Sequence, residues 1–339
     1  MLLTILLTVT LISYIFTVFL EKIFIRYGKF IDNPKERSCH TKPTPTAGGL
    51  AILFSYSIFI YILIVLLGVN ANIFLILLIS IIPVVFIGLL DDLKDVNILI
   101  RLLFQFSSAT LIIYYFQINN ATYFEINQST ILITILSVIL SMWLMNLYNF
   151  MDGIDGYAST ECIFISFVAS ILTYLNDSES LMYFYLAGLG AANIGFIFRN
   201  WYPAKIFMGD TGSISIGCIL AFFIFYSASE SILSIYTWLI LLSVFVADSS
   251  YTLLVRVVTK RNIFKPHLTH AFHKMTIKEN SHLFTVKKMI LINIFWVLPM
   301  SLLSNIYSDY HIVVAIAAYL PLLFVLIKIG AGLETVKNS

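Results

Sequence analysis

The sequence predicts an all-α integral membrane protein: a polytopic helical bundle of about eleven transmembrane helices, N-terminus outside and C-terminus cytoplasmic. Three observations predict it. Of 339 residues, 60% are hydrophobic and 11% charged, with a mean hydropathy of +0.94, outside the range of water-soluble globular domains. Uncharged runs of about 17 to 20 residues, enough to cross ~30 Å of hydrocarbon, recur along the whole chain. All 20 lysines and arginines fall into alternate gaps between those runs.

The first run, at about 2–20, has no basic leader and meets Glu21-Lys22 without a small-residue cleavage site, so it reads as a permanent span. The gap at 21–48 holds Lys22, Arg26, Lys29, Lys35, Arg37 and Lys42, which marks it as cytoplasmic. Spans at about 49–68 and 73–90 lead to a second basic gap with Lys94 and Arg101, and spans at about 102–117, 129–147, 158–175 and 181–198 follow. The gap at 199–213 carries Arg199 and Lys205, and the spans at about 214–229 and 232–255 end in the basic segment 256–288. Asp248 is expected near the cytoplasmic end of the ninth span, paired inward. Spans at about 289–305 and 312–327 precede a basic tail with Lys328 and Lys337. The opposite gaps, around Asn120, Asn176, Glu230 and Asp309, have acids and amides but no basic residue. No gap is long enough for a soluble domain and no repeat relates the halves, so residues 1–339 read as one integral domain. Cys39, Cys162 and Cys218 lack metal-like spacing and read as reduced and structural. The sequons at Asn120 and Asn127 are given no role.

The chemistry is concentrated in five cytoplasmic islands. His40 to Gly49 has two prolines and two glycines beside Lys42. By itself it reads as a helix-entry turn with a snorkelling lysine, the other reading being amides close to an anion. Asp91-Asp92 ends the third span, where two adjacent carboxylates repel unless a cation relieves them, or else form a solvated helix terminus. Asn146, Asn149, Asp152 and Asp155 recur every three residues with no lysine or arginine beside them, an arrangement costly at a membrane boundary unless something cationic binds. Asp210, between two glycines and close to Thr211 and Ser213, reads as a helix cap or as a metal carboxylate next to amides that suit a diphosphate. His267, His270 and His273 are half of the six histidines, spaced by three and flanked by Lys265 and Lys274. If helical they share a face, and the lysines favour an anion over zinc. Oxygen-rich donors on one face point to Mg²⁺, with Mn²⁺ the other hard cation that fits.

In these islands the chain also resembles a known family. Asp91-Asp92, the run Asn149-Phe-Met-Asp152-Gly-Ile-Asp155-Gly, Met208-Gly-Asp-Thr-Gly-Ser213 and the histidine-rich loop, in that order, resemble the signatures of the polyprenyl-phosphate N-acetylhexosamine-1-phosphate transferases. The resemblance implies a cytoplasmic-face site that moves a sugar 1-phosphate from a UDP-sugar to undecaprenyl phosphate, releasing UMP with Mg²⁺. It implies Asp210 as the principal metal ligand with Asp152 beside it, Asp91 and Asp92 handling the lipid phosphate, and Asp152 as an essential acid. Asn149 and Asp155 become supports for nucleotide or metal, and Lys42, His267, His270 and His273 contacts to diphosphate or nucleotide. Direct attack by the lipid phosphate and a covalent route through an aspartate are both open.

His267 and His270 are separated by Leu-Thr, whereas the peptidoglycan branch of the family usually carries adjacent histidines. The spaced form is more similar to enzymes that initiate O-antigen or related envelope glycans, as in lipopolysaccharide synthesis. It favours UDP-GlcNAc or a deoxy-amino sugar over muramoyl-pentapeptide. The expected location is the bacterial cytoplasmic (inner) membrane, with membrane lipid as a partner, no nucleic acid, and a homodimer left open. A secondary transporter is the reading from another class, disfavoured because the acids gather at one boundary rather than mid-span.

Overall fold

The structure, a computed structural model, describes residues 2–34, 42–68, 71–119, 128–263, 265 and 267–334. Cys39, His40, Thr41 and the asparagines of both sequons, Asn120 and Asn127, lie outside the described residues. The chain divides into two compact units, one of Met1–Asn33 with Pro43–Leu233 and one of Pro34–Lys42 with Ser234–Ser339.

The first unit runs α1 (Leu2–Tyr27), β1 (Ile31–Asp32), β2 (Thr44–Pro45), α2 (Gly49–Leu67), α3 (Asn72–Leu93), α4 (Ile98–Asn119), α5 (Gln128–Phe150), α6 (Tyr157–Asn176), α7 (Met182–Asn200) and α8 (Gly209–Ser229). The two strands form one short antiparallel pairing, Ile31 opposite Pro45 and Asp32 opposite Thr44. Helix α8 is almost wholly buried and packs against α2, α3, α4 and α5, while α7 packs against α1, α2 and α6. Leucines, isoleucines and phenylalanines on α1, α3, α4 and α5 remain exposed, as expected of faces solvated by lipid.

The second unit runs α9 (Ile235–Leu241), α10 (Ser243–Val258), α11 (Ala271–Glu279), α12 (His282–Ile292), a π-turn (Asn293–Val297), α13 (Leu298–Ile306), a 3₁₀ turn (Ser308–Tyr310) and α14 (His311–Ile329). Ser234 starts α9 by accepting the Thr237 amide at 3.2 Å, and Ser281 starts α12 by accepting that of Phe284 at 3.2 Å.

Among the described residues nine helices are long and apolar enough to cross a membrane, or ten if α9 and α10 form one bent span. The chain is therefore a multi-pass helical membrane protein. One sequence expectation needs correction. The ninth span is not one straight helix, because α9 and α10 meet at a 79° bend. The run at 181–198 is helical, as α7, but falls outside the nine. Asn193, Asn200 and Arg199 lower its apolarity, and it is largely enclosed by protein rather than lipid.

Candidate functional site

Asp91 and Asp92 at the end of α3, Arg101 at the start of α4, Asn149 at the end of α5 and Asp210 at the start of α8 meet at one end of the first unit, because successive helices run in alternate directions. Asp152 and Asp155 lie in the turn between α5 and α6 at that same end.

The two adjacent aspartates do different work. Asp92 serves as an acceptor for the start of α8: its Oδ1 accepts the Asp210 amide at 3.0 Å, and its Oδ2 accepts the Thr211 amide at 3.0 Å and the Thr211 hydroxyl at 2.6 Å. The Thr46 hydroxyl adds a donor to Oδ1 at 3.2 Å. These are first-turn amides, which an N-cap normally satisfies from its own chain. Gly209 makes the approach possible, since it sits at φ +73° and a side chain there would come within 2.5 Å of Asp92 Oδ1. Asp91 instead faces across the turn. It accepts the Val96 amide at 2.9 Å and pairs with Arg101 at 3.2 Å.

Arg101 links the cluster. One of its terminal nitrogens is 3.2 Å from Asp91, and the other is 2.7 Å from Asp210 Oδ2 and 3.3 Å from Asn149 Oδ1. Asn149 turns its amide nitrogen to Asp210 Oδ1 at 2.8 Å and to the Ser213 hydroxyl at 3.1 Å. Thus Asp210 is fixed by an arginine, an asparagine and its own amide's bond to Asp92. The sequence reading noted Arg101 only as a cytoplasmic charge. The available signal was its position four residues before Gln105, on one helix face with a polar residue that α4 buries.

Asp155 is buried and accepts the Ala204 amide at 2.9 Å. It thereby holds the segment that leads into α8, with help from Asn200, which accepts the Gly156 amide and donates to the Ile206 carbonyl. Asp152 is half-buried. Burial first, then the charges of Asp210, Asp92 and Asp155, hold its carboxyl well above the usual carboxylate range.

At two of the islands the amides are already bonded within the protein, against the free-amide reading. Gly48 and Gly49 do not offer their amides to an anion, because they donate to the Phe207 and Met208 carbonyls, each at 2.9 Å. That strap needs glycine at 49, where a side chain would lie 2.1 Å from Gly212 Cα. The amides of Asp210 and Thr211 likewise go to Asp92 rather than to a diphosphate.

Lys42 and the three histidines belong to the second unit. Lys42 is exposed. The histidines do not share a helix, since His267 is in irregular chain, His270 stands at the N-cap of α11, and only His273 is helical. Asp248 explains where that helix starts. It accepts the amides of Ala271 at 2.9 Å and Phe272 at 3.1 Å, and His270 Nδ1 lies 3.5 Å from it. The inward pairing expected of Asp248 is thus present. The rings of His267 and His270 stack with centroids 5.1 Å apart, and Thr269 bonds His267 Nδ1 at 2.9 Å. Burial, with the charge of His270 next, pushes His267 down to about 4 and His273 down to about 3. Both are neutral at pH 7.

Among the described residues no three His, Cys, Asp or Glu side chains are grouped as a metal site. Asp210 and Asp152, close enough for their charges to act on one another, nevertheless bring two hard-oxygen carboxylates together. Mg²⁺ binds through one or two carboxylates and completes its shell with water and phosphate oxygens, so this donor set fits it.

Comparison with known proteins places the chain in a family. The sequence model of glycosyl transferase family 4 matches residues 74–228, from α3 through the end of α8. The phospho-N-acetylmuramoyl-pentapeptide-transferase of Borrelia hermsii is 31% identical over 282 residues, covering 72% of this chain and 78% of that protein. The chain belongs to this family, the polyprenyl-phosphate hexosamine-1-phosphate transferases. A second member, the probable undecaprenyl-phosphate N-acetylglucosaminyl 1-phosphate transferase of Bacillus subtilis, is 29% identical over 294 residues, 82% of this chain and 78% of its own. The phospho-N-acetylmuramoyl-pentapeptide-transferase of Kosmotoga olearia is 33% identical over 216 residues, 58% of this chain and 65% of that protein. The chain is accordingly a membrane sugar-1-phosphate transferase, and the acidic cluster lies in or beside the stretch its family shares.

Proposed function

We propose that this transferase moves N-acetylhexosamine 1-phosphate, or a deoxy-amino sugar 1-phosphate, from a UDP-sugar to undecaprenyl phosphate and releases UMP, initiating an O-antigen or related envelope glycan. The observation that carries the proposal is the convergence of Asp91, Asn149 and Asp210 on the Arg101 guanidinium. Carboxylates and a guanidinium held at one membrane boundary suit a reaction between a water-soluble diphosphate and a lipid phosphate.

In the reaction, an oxygen of the lipid phosphate forms a bond to the sugar-bearing phosphorus while the bond from that phosphorus to the UMP phosphate breaks. A phosphate monoester is already mostly dianionic at neutral pH, its second pKa being about 6. Asp91 therefore needs only to take the residual proton and orient the attacking oxygen. Arg101 offsets negative charge developing on the transferring group, and Asn149 keeps Asp210 in its rotamer. Asp92 and Asp155 hold α8 and its leading segment in place. Asp210, with Asp152 near it, is the proposed holder of Mg²⁺, which when bound supplies Lewis-acid stabilisation of the phosphate oxygens. In the second unit, exposed Lys42 and partly exposed His267 are proposed as anion contacts, with buried His270 and His273 supporting that loop.

The donor is proposed to be UDP-GlcNAc or a deoxy-amino relative. The Leu-Thr spacing of His267 and His270 supports this. The basic gaps favour a cytoplasmic site in the inner membrane. A donor panel tests the substrate: purified protein, undecaprenyl phosphate and Mg²⁺ are incubated with each UDP-sugar, and the lipid product is weighed by mass spectrometry. A lipid diphosphate carrying one N-acetylhexosamine is expected. A product formed only from UDP-MurNAc-pentapeptide would place the protein in peptidoglycan synthesis instead.

A further inference from the structure

Two polar contacts, one helical turn apart, join α4 to α5. At the helix ends Arg101 reaches Asn149. One turn deeper, Gln105 and Asn146 exchange both amide bonds: Asn146 Nδ2 donates to Gln105 Oε1 at 2.6 Å, and Gln105 Nε2 donates to Asn146 Oδ1 at 3.3 Å. Asn146 also donates to the Met142 carbonyl of its own helix at 2.7 Å, and Gln105 is fully buried. Asn146 heads the three-residue series that includes Asn149 and Asp152, yet no step of the proposed reaction uses it.

A reciprocal amide pair between membrane helices resists both sliding and rotation. Either motion leaves the donors and acceptors of Gln105, which is closed to water, unpaired. Arg101 lies four residues before Gln105, and Asn149 three after Asn146, so each acting side chain shares a helix face with one half of the pair. The pair therefore sets the height and rotation from which Arg101 reaches Asp91 and Asp210, and from which Asn149 reaches Asp210 and Ser213. We propose that Gln105 and Asn146 are positioning residues of sugar-1-phosphate transfer, acting through Arg101 and Asn149 without touching substrate. This rests on the reaction proposed above.

A pair that merely glued the helices together would lower stability when removed and leave the turnover of the folded fraction intact. The test is steady-state UMP release by full-length protein in detergent, with melting temperature measured on the same samples, for wild type, Gln105→Leu, Arg101→Gln and the double variant. Gln105→Leu is expected to lower kcat by about 10- to 100-fold, as misplacement of a reacting group by about 1 Å does, while KM for the UDP-sugar stays within about threefold. In the Arg101→Gln background the same change is expected to cost less than about twofold more. Exchanging the partners, Gln105→Asn with Asn146→Gln, is expected to recover most of the rate. Wild-type kcat in folded Gln105→Leu, or losses that multiply fully in the double variant, would overturn the assignment. If Gln105→Leu does not fold, the shape-conserving Gln105→Met and the exchanged pair decide, a wild-type kcat in Gln105→Met or no recovery in the exchange counting against it. An inactive wild type has a different signature: it overturns the reaction itself, and the positioning role with it.

Discussion

Asp92 in the first unit and Asp248 in the second use one device for opposite ends. Each is a carboxylate on a membrane helix that accepts the first amides of another helix, those of Asp210 and Thr211 in one case and those of Ala271 and Phe272 in the other. Each also takes a threonine hydroxyl, from Thr211 or Thr252. What differs is the residue presented next to the cap. At α8 it is an acid, Asp210, ringed by Asp91, Asn149 and Arg101. At α11 it is an imidazole, His270, stacked on His267 and near His273. A carboxylate that accepts the first amides of another helix thus fixes where that helix starts, and with it the side chain presented there.

The largest expected effect separates the placed acid from its placer. Asp210→Asn should cut UMP release by about 10³-fold or more while the protein melts within a few degrees of wild type. An equal stability loss would mean that Asp210 is structural. Removing either placer should do the reverse at first order. Asp92→Ala or Asp248→Ala leaves two buried amides and at least one hydroxyl without their acceptor, a cost of about 2–4 kcal/mol. Thermal unfolding in detergent measures it, and a loss under ~1 kcal/mol for either variant would break the parallel.

A smaller effect runs in the stabilising direction. Asp152 sits among the charges of Asp210, Asp92 and Asp155, so Asp152→Asn should raise the melting temperature at pH 7, without added divalent cation, by about 1–3 °C while it lowers turnover. A lower melting temperature would show that the carboxyl makes a net favourable contact.

A further effect is confined to the second unit. His267 and His273 have folded pKa values below the unfolded value of about 6.5. The unfolded chain therefore binds more protons below that pH, and the stability these two residues contribute is complete above about 6.5 and lost as pH falls toward 4 and then 3. His267→Gln should reduce the fall in melting temperature between pH 6.5 and 4, leaving the part due to His273. An unchanged slope would remove His267 from the account.

Much of this was legible in the sequence, and the gaps have physical causes. Apolar runs and the placement of lysine and arginine marked the helices because bilayer thickness and loop charge are strong constraints. The bend between α9 and α10 was hidden because no proline or glycine stands at the break beside Leu241, Leu242 and Ser243. The acids of the site were visible as costly charges near lipid. Their division of labour was not, because adjacent Asp91 and Asp92 are chemically alike and only the approach of α8 assigns one as a cap. Histidine spacing suggested one helical face at 267–273, but α11 begins at Ala271, where Asp248 supplies its cap. Arg101 was missed because a lone arginine in a basic gap looks like any other cytoplasmic charge.

In the proposed reaction the acid placed at the start of α8 carries the transfer. The most direct measurement is UMP release from a UDP-N-acetylhexosamine by purified protein with undecaprenyl phosphate and Mg²⁺, wild type against folded Asp210→Asn. Release that requires both lipid phosphate and Mg²⁺ in wild type, and is abolished in the variant, is the predicted result. Release that persists in Asp210→Asn at a rate close to wild type would contradict it.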